Sequence, residues 1–178
     1  MLEVIIFLLA LAADQITKIW AASTLPLFGG SLAIIQDVLH FTYSQNYGAA
    51  FGILQNQRVF FLIATPLAMI LFVIVIISGH KSFSKSLLIG LALFLSGAMG
   101  NFLDRLILTY VRDFVDFRLI NFAIFNVADS CITIGFVLIA IDVLILDARR
   151  KKKLLASQAQ SETLEIGQDA STEESPSI

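Results

Sequence analysis

Two stretches of this chain, residues 59–77 and 87–103, contain no charged side chain and are almost wholly apolar. A helix needs about 20 such residues to cross the hydrocarbon of a bilayer. Backbone groups facing lipid must be satisfied within their own element, so runs of this kind commit the chain to membrane-spanning helices. Composition points the same way, at 57% hydrophobic and 15% charged residues, against about 45–50% apolar usage in soluble domains. A net charge of -2 offers no basic excess to attract nucleic acid, and the single cysteine, Cys131, excludes an internal disulfide framework.

Two further spans are less clean. Residues 122–146 form a mainly apolar run whose charged residues are Asp129 and Asp142, and residues 2–22 carry Glu3, Asp14 and Lys18. The first of these in chain order could pass for a cleavable signal peptide, but it has an early acidic residue, no basic n-region and charges inside the apolar run. The expectation is a mainly α membrane protein of four transmembrane helices, forming one domain over residues 1–153. Basic residues orient it. Lys81 and Lys85 lie between the second and third spans, and Arg149, Arg150, Lys151, Lys152 and Lys153 follow the fourth. The positive-inside rule places both segments, and both termini, in the cytoplasm. Arg58, Arg105, Arg112 and Arg118 then fall on the outer side, where Asp104, Asp113 and Asp116 are available as partners.

The outer segments are residues 23–58 and 104–121. In the first, Leu39, Phe41 and Tyr43 alternate with His40, Thr42 and Ser44, the period of a half-buried strand with His40 on its polar, surface side. Gly29-Gly30 and Asn46-Tyr47-Gly48 supply turn chemistry around it, so a small β-rich cradle is expected on the outer face. The second outer segment reads as a loop carrying Asp113. Residues 154–178 are rich in Ser, Gln, Glu and Thr without a basic residue, the composition of a disordered cytoplasmic tail.

Charges inside apolar helices each cost about 2.5–3.5 kcal/mol on insertion scales and need a reason. Asp14 and Lys18 are four apart near the outer end of the first span, on one helical face. Asn101, Asp104 and Arg105 share a face at the outer end of the third, and Asn126 and Asp129 share one at the outer start of the fourth. Polar groups from three helices and two loops thus converge at one level near the outer leaflet. A structural ion-pair network would explain the pattern. A transport path would instead favour the midplane between repeats, and no repeat is visible. A catalytic site accounts best for the off-centre placement. Two aspartates held close cannot both ionise easily, so one keeps a proton while the other acts as base. Such a pair can activate water against an amide and protonate the departing nitrogen. Metal hydrolysis and serine–histidine chemistry are disfavoured because the histidines are only His40 and His80 and Cys131 has no CxxC partner. No metal or cofactor is implied.

The blocks Asp14-Gln15-Ile16-Thr17-Lys18, Asn46-Tyr47-Gly48-Ala49-Ala50-Phe51-Gly52, Gly100-Asn101-Phe102-Leu103-Asp104-Arg105, Val111-Arg112-Asp113-Phe114 and Phe125-Asn126-Val127-Ala128-Asp129-Ser130 resemble, in order, the signature blocks of lipoprotein signal peptidase. The resemblance covers residues 14–130 and leaves the tail outside it. It implies four transmembrane helices with an outer cradle, and removal of the signal peptide from prolipoproteins before a cysteine carrying a diacylglyceryl group. The partners it implies are therefore the lipid-modified substrate and membrane lipid. It also implies Asp113 and Asp129 as the catalytic pair, in unassigned acid and base roles. Asn101, Arg105 and Asn126 would orient substrate or the pair, Asp14 and Lys18 would shape the site, and Asn46 would bond substrate from the cradle. Asp104 reads as the partner of Arg105. Asp116 competes with Asp113 from the same segment, with the Val-x-Asp-Phe context favouring Asp113. Asp142, near the cytoplasmic end, is expected to snorkel or pair with basic residues, Cys131 to pack as a small apolar residue, and Trp20 to mark the interface.

The orientation is testable by cysteine-accessibility labelling. Positions beside Arg58 and Val111 should label from outside the cell, and positions beside Lys81 and Lys151 only after permeabilisation. The reverse pattern would put the polar cluster on the cytoplasmic side.

Overall fold

The computed structural model describes residues 1–27, 30–48, 53–79 and 83–144. His80, Lys81, the basic run after the fourth span and the tail expected over 154–178 lie outside the described residues. The order of elements is α1 (Leu2–Thr24), β1 (Leu32–Ile35), β2 (Leu39–Asn46), α2 (Arg58–Gly79), α3 (Lys85–Ile107), β3 (Val111–Phe117), a 3-10 turn at Arg118–Ile120, and α4 (Val127–Leu144). All four α-helices are long and apolar enough to cross a membrane. By its contacts the chain divides into Met1–Ile139 and Ala140–Ile178. Of the second unit only the last turn of α4, which includes a buried rather than snorkelling Asp142, is described. All packing and site geometry below belongs to the first unit.

The helices differ in what surrounds them. No residue of α2 is buried, and Val59, Ile63, Leu67, Leu71 and Ile77 all face outward. In water such a surface would be untenable, whereas lipid tails are as apolar as the side chains themselves. By contrast α3 is the packing centre, burying Leu87, Leu91, Ala92 and Leu95 against its neighbours. Its start is set by Ser84, whose hydroxyl accepts from the Leu87 backbone N–H at 3.0 Å. Small residues let α4 approach. A Cβ on Gly97 would collide with the Ala128 carbonyl oxygen, and one on Gly90 would lie 3.0 Å from that of Gly135. The C-terminal end of α3 runs past its apolar sequence, with Asp104 buried inside the protein.

The strands form one antiparallel sheet in the order β1-β2-β3. The expected strand over 39–44 is present and extends to Asn46. Two expectations give way. The segment carrying Asp113 is a strand, β3, not a loop: it is buried on both faces, so its sequence lacks the alternation of a half-buried strand, and its pairing with β2 establishes it. His40, expected at the surface, is 4% exposed, with its Nδ1 3.1 Å from Ser31 Oγ. His40 lies on the central strand, paired with Ala33 on one side and Asp116 on the other, so the face taken for surface is covered by neighbours distant in sequence. The sheet is seated on the C-terminal end of α1 by a core of Ala21, Leu25, Tyr43 and Phe114. Trp20 is part of this joint, with its ring edge-on to Phe41 at 5.3 Å and to Phe114 at 6.2 Å. It packs the sheet onto the helix in addition to any interfacial placement.

Gly97→Ala tests the close α3–α4 contact. Forcing a methyl against the Ala128 carbonyl should cost about 1–3 kcal/mol, seen as a lower thermal unfolding midpoint in detergent. An unchanged midpoint would mean that the contact does not set the helix spacing.

Candidate active site

The site is built around Lys18, which is 0% exposed although it lies on a membrane-spanning helix. A buried ammonium must be surrounded by oxygens to persist. Its Nζ donates to Asn101 Oδ1 at 2.9 Å and lies 3.0 Å from Asp14 Oδ2 and 3.6 Å from Asp104 Oδ2. The i, i+4 spacing on α1 makes the Asp14 pair, and the last turns of α3 supply the other two partners. Asp14 also reaches α4, accepting from the Ala128 backbone N–H at 2.8 Å. Gly100 makes room for it, since a Cβ there would strike Asp14 Oδ2.

The start of α4 is a reciprocal cap. Asn126 Oδ1 accepts from the Asp129 N–H at 3.0 Å, while Asp129 Oδ2 accepts from the Asn126 N–H at 3.2 Å. This is a capping box with Asn and Asp in place of the usual pair. Its side chains are also aimed into the network. The amide of Asn101 donates to Asp129 Oδ1 at 2.8 Å. Asn126 Nδ2 donates to Asp113 Oδ1 at 2.6 Å and, more weakly, to Asn101 Oδ1 at 3.3 Å. From β2, Asn46 Nδ2 donates to Asp113 Oδ2 at 3.0 Å. Asp113 therefore receives an amide on each oxygen, and Asp129 is held by α3 and by its own helix start.

Both carboxylates line a cavity of about 890 Å³, together with Asn46, Asn101 and Arg105 and with apolar walls from Phe61 of α2, Ala98 of α3 and Ile132 of α4. Asp113 is 2% exposed in its strand. Burial, followed by the charge of Asp129, pushes its carboxyl up from 3.8 to about 7, against the opposing effect of the Asn46 and Asn126 bonds. A pair in this state can hold one proton between two carboxyls near neutral pH, which is what hydrolysis by an activated water requires.

The chain matches signal peptidase II over residues 6–145. It belongs to that family. The lipoprotein signal peptidase of Streptococcus agalactiae serotype Ia is 44% identical over 137 residues, covering 77% of this chain and 88% of the relative. That of Brevibacillus brevis is 45% identical over 142 residues, covering 80% and 93%. A solved bacterial membrane enzyme, determined by the in meso method at 2.3 Å resolution, superposes with a TM-score of 0.76 at 35% identity, covering 84% of this chain and 90% of its own. A second, at 1.9 Å resolution, gives a TM-score of 0.72 at the same identity over 80% and 92%. The chain is accordingly a multi-pass membrane protein and an aspartic endopeptidase.

Within this peptidase the residues singled out by sequence fall into one connected group: Asp14, Lys18, Asn46, Asn101, Asp104, Asp113, Asn126 and Asp129 are linked through the bonds above. Asp116 is not among them. It accepts from Thr42 Oγ1 at 2.7 Å and Arg118 Nε at 3.0 Å and lies away from the cavity. One expected pairing is corrected. Asp104 does not partner Arg105 but binds Arg112, at 2.6 Å to Oδ1 and 3.1 Å to Oδ2. Arg105 instead donates to the Gly48 carbonyl at 2.6 Å and lies over the Phe61 ring at 4.3 Å. Adjacent charges on a helix point in different directions, and here they do. Sequence reasoning gave no role to Gln15 and offered Arg58 and Arg112 only as partners for the outer aspartates, a role that Arg112 takes with Asp104. Arg58 donates to the carbonyls of Arg105 and Leu106 at the end of α3, at 2.9 and 3.0 Å. A charge count shows that Asp14 and Asp104 together need a second cation beside Lys18, and the structure selects Arg112 from the outer arginines.

Lys18→Met should destabilise the protein by about 3–5 kcal/mol, because it leaves buried carboxylates without their shared cation. Adding Asp14→Asn should recover part of that loss. Unfolding in detergent measures both, and an unaffected single variant would show that Lys18 does not hold the network.

Proposed function

We propose that this chain removes signal peptides from prolipoproteins, cutting before a diacylglyceryl-modified cysteine by water activation between Asp113 and Asp129. The observation that carries this reading is the pair itself: two carboxyls on one cavity, with one raised to about 7 by burial and by the other. The ionised member takes a proton from water as the oxygen attacks the scissile carbonyl carbon. The protonated member gives its proton to the leaving nitrogen. The two titrate as a unit, so the roles belong to the pair. Asn101 and Asn126 hold the carboxyls in place through their amides. Asn46 and Arg105, at the cavity wall, are available to bond the substrate backbone.

Placement supports a lipidated substrate. The apolar wall of the cavity comes from the membrane-spanning helices α2, α3 and α4. An acyl-modified cysteine could keep its chains in hydrocarbon, at about 0.8 kcal/mol per buried CH₂, while its peptide bond reaches the aspartates. The site residues occupy the second half of α1, the end of α3 and the start of α4. With the basic segments in the cytoplasm, those ends lie near the outer face of the bacterial plasma membrane.

Purified protein and a diacylglyceryl-modified prolipoprotein test the proposal. Asp113→Asn and Asp129→Asn should each abolish cleavage in folded protein, with the double variant no worse than either single one. Asp116→Asn should keep substantial activity. A dead Asp116→Asn beside an active Asp113→Asn would move the site across the strand, and equal cleavage of unlipidated peptide would remove the lipid from the reading. The pH profile gives a second check. A raised carboxyl keeps its proton below about 7 and loses it above, so turnover should fall as pH rises through about 7. Asn46→Ala removes a bond that favours the ionised form of Asp113, so the alkaline limb should move upward. A limb that stays in place or moves downward would contradict the assignment.

A further inference from the structure

Arg112 stands next to Asp113 in β3 and is held through its backbone N–H, its Nε and its Nη2. Its backbone N–H donates to Asp104 Oδ2 at 3.0 Å, its Nε to the same oxygen at 3.1 Å, and its Nη2 to Asp104 Oδ1 at 2.6 Å. The same Nη2 also donates to Gln15 Oε1 at 2.9 Å, and Gln15 in turn donates to Asp14 Oδ2 at 3.0 Å and to the Gly100 carbonyl at 3.2 Å. Main chain and side chain of one residue thus grip a single carboxylate on α3 while the guanidinium reaches α1. The side chain beyond it on the strand, that of Asp113, turns to the opposite face, into the cavity.

We infer that Arg112 is a positioning residue for the cleavage reaction, a clamp that fixes β3 against α1 and α3 and so sets where the Asp113 carboxyl stands. The inference rests on Asp113 being one of the reacting pair. Successive Cα atoms are only about 3.8 Å apart, so a strand pinned at residue 112 has little freedom left at 113. The clamp needs arginine chemistry. A planar fork can hold both carboxylate oxygens and still present an N–H to Gln15, which a lysine ammonium cannot do. Charge balance is a separate task performed by the same group: Asp14 and Asp104 face Lys18 and Arg112. The two tasks predict different things. If Arg112 only neutralises Asp104, removing both charges together restores the enzyme. If it positions Asp113, the enzyme folds again but stays slow.

The experiment compares Arg112→Lys, Arg112→Met and the double variant Arg112→Met/Asp104→Asn in cleavage of diacylglyceryl-modified prolipoprotein, with unfolding in detergent measured alongside. Arg112→Met alone should lose stability. The double variant should recover it, yet show kcat reduced by about 100-fold, the scale of loss for a misplaced reacting group, with KM changed by less than about threefold. Arg112→Lys should fold and also be slow. A double variant or Arg112→Lys with kcat near that of the unsubstituted enzyme would overturn the clamp, as would a loss confined to KM. Asp113→Asn in the same assay separates the two claims. If it is active, the aspartate pair has failed. If it is dead while the Arg112 variants run at full speed, only the positioning role has failed.

Discussion

A fully buried ammonium among four apolar helices can exist only if the protein supplies its solvent. Lys18 receives that from Asp14 on its own helix and from Asn101 and Asp104 at the end of α3. Each of those groups has a second obligation. Asp14 caps α4 at Ala128, Asn101 holds Asp129, and Asp104 grips Arg112 at the head of β3. The meeting point of α1, α3, α4 and β3 is therefore set by the neutralisation of one charge. In a bilayer the hydrophobic effect gives helices little reason to choose one partner over another, so specific polar contacts of this kind carry the choice.

The same network explains why two similar carboxyls end in different surroundings. Asp129 sits in the first turn of a helix, bonded to a backbone N–H and to Asn101. Asp113 lies on a buried strand, held by side-chain amides from Asn46 and Asn126, and burial, followed by the charge of Asp129, raises its affinity for a proton against the effect of those amides. Environments that differ in this way let a pair share one proton rather than compete for it. The surrounding asparagines contribute geometry without adding charge, which would shift the balance they support.

Much of this was legible before any coordinates. The four helices follow from apolar run length, and the shared face of Asp14 with Lys18 follows from helical spacing. Both signals are local. Where the reading failed, the missing information was non-local. β3 looked like a loop because it is buried on both faces and so lacks the alternation of a half-buried strand. Once it is a strand, parity separates the two aspartates: residues three apart point to opposite faces, with Asp113 toward the cavity and Asp116 toward Thr42 and Arg118. His40 is buried because its strand is the central one, flanked by Ala33 and Asp116, and alternation within one strand does not reveal what lies on either side.

Sequence alone determined that this chain spans a membrane, that its polar residues gather at one end of the spans, and which short blocks resemble those of lipoprotein signal peptidase. Such features depend on composition and on spacings of a few residues, which helix geometry converts directly into faces and levels. Tertiary structure decided which acid meets which base. Asp104 chose Arg112 over the adjacent Arg105, and Arg105 went to the Gly48 carbonyl, because pairing in a low-dielectric interior is governed by direction and distance in space. Neighbours along a helix diverge by roughly 100° per residue, so adjacency in the chain says little about contact.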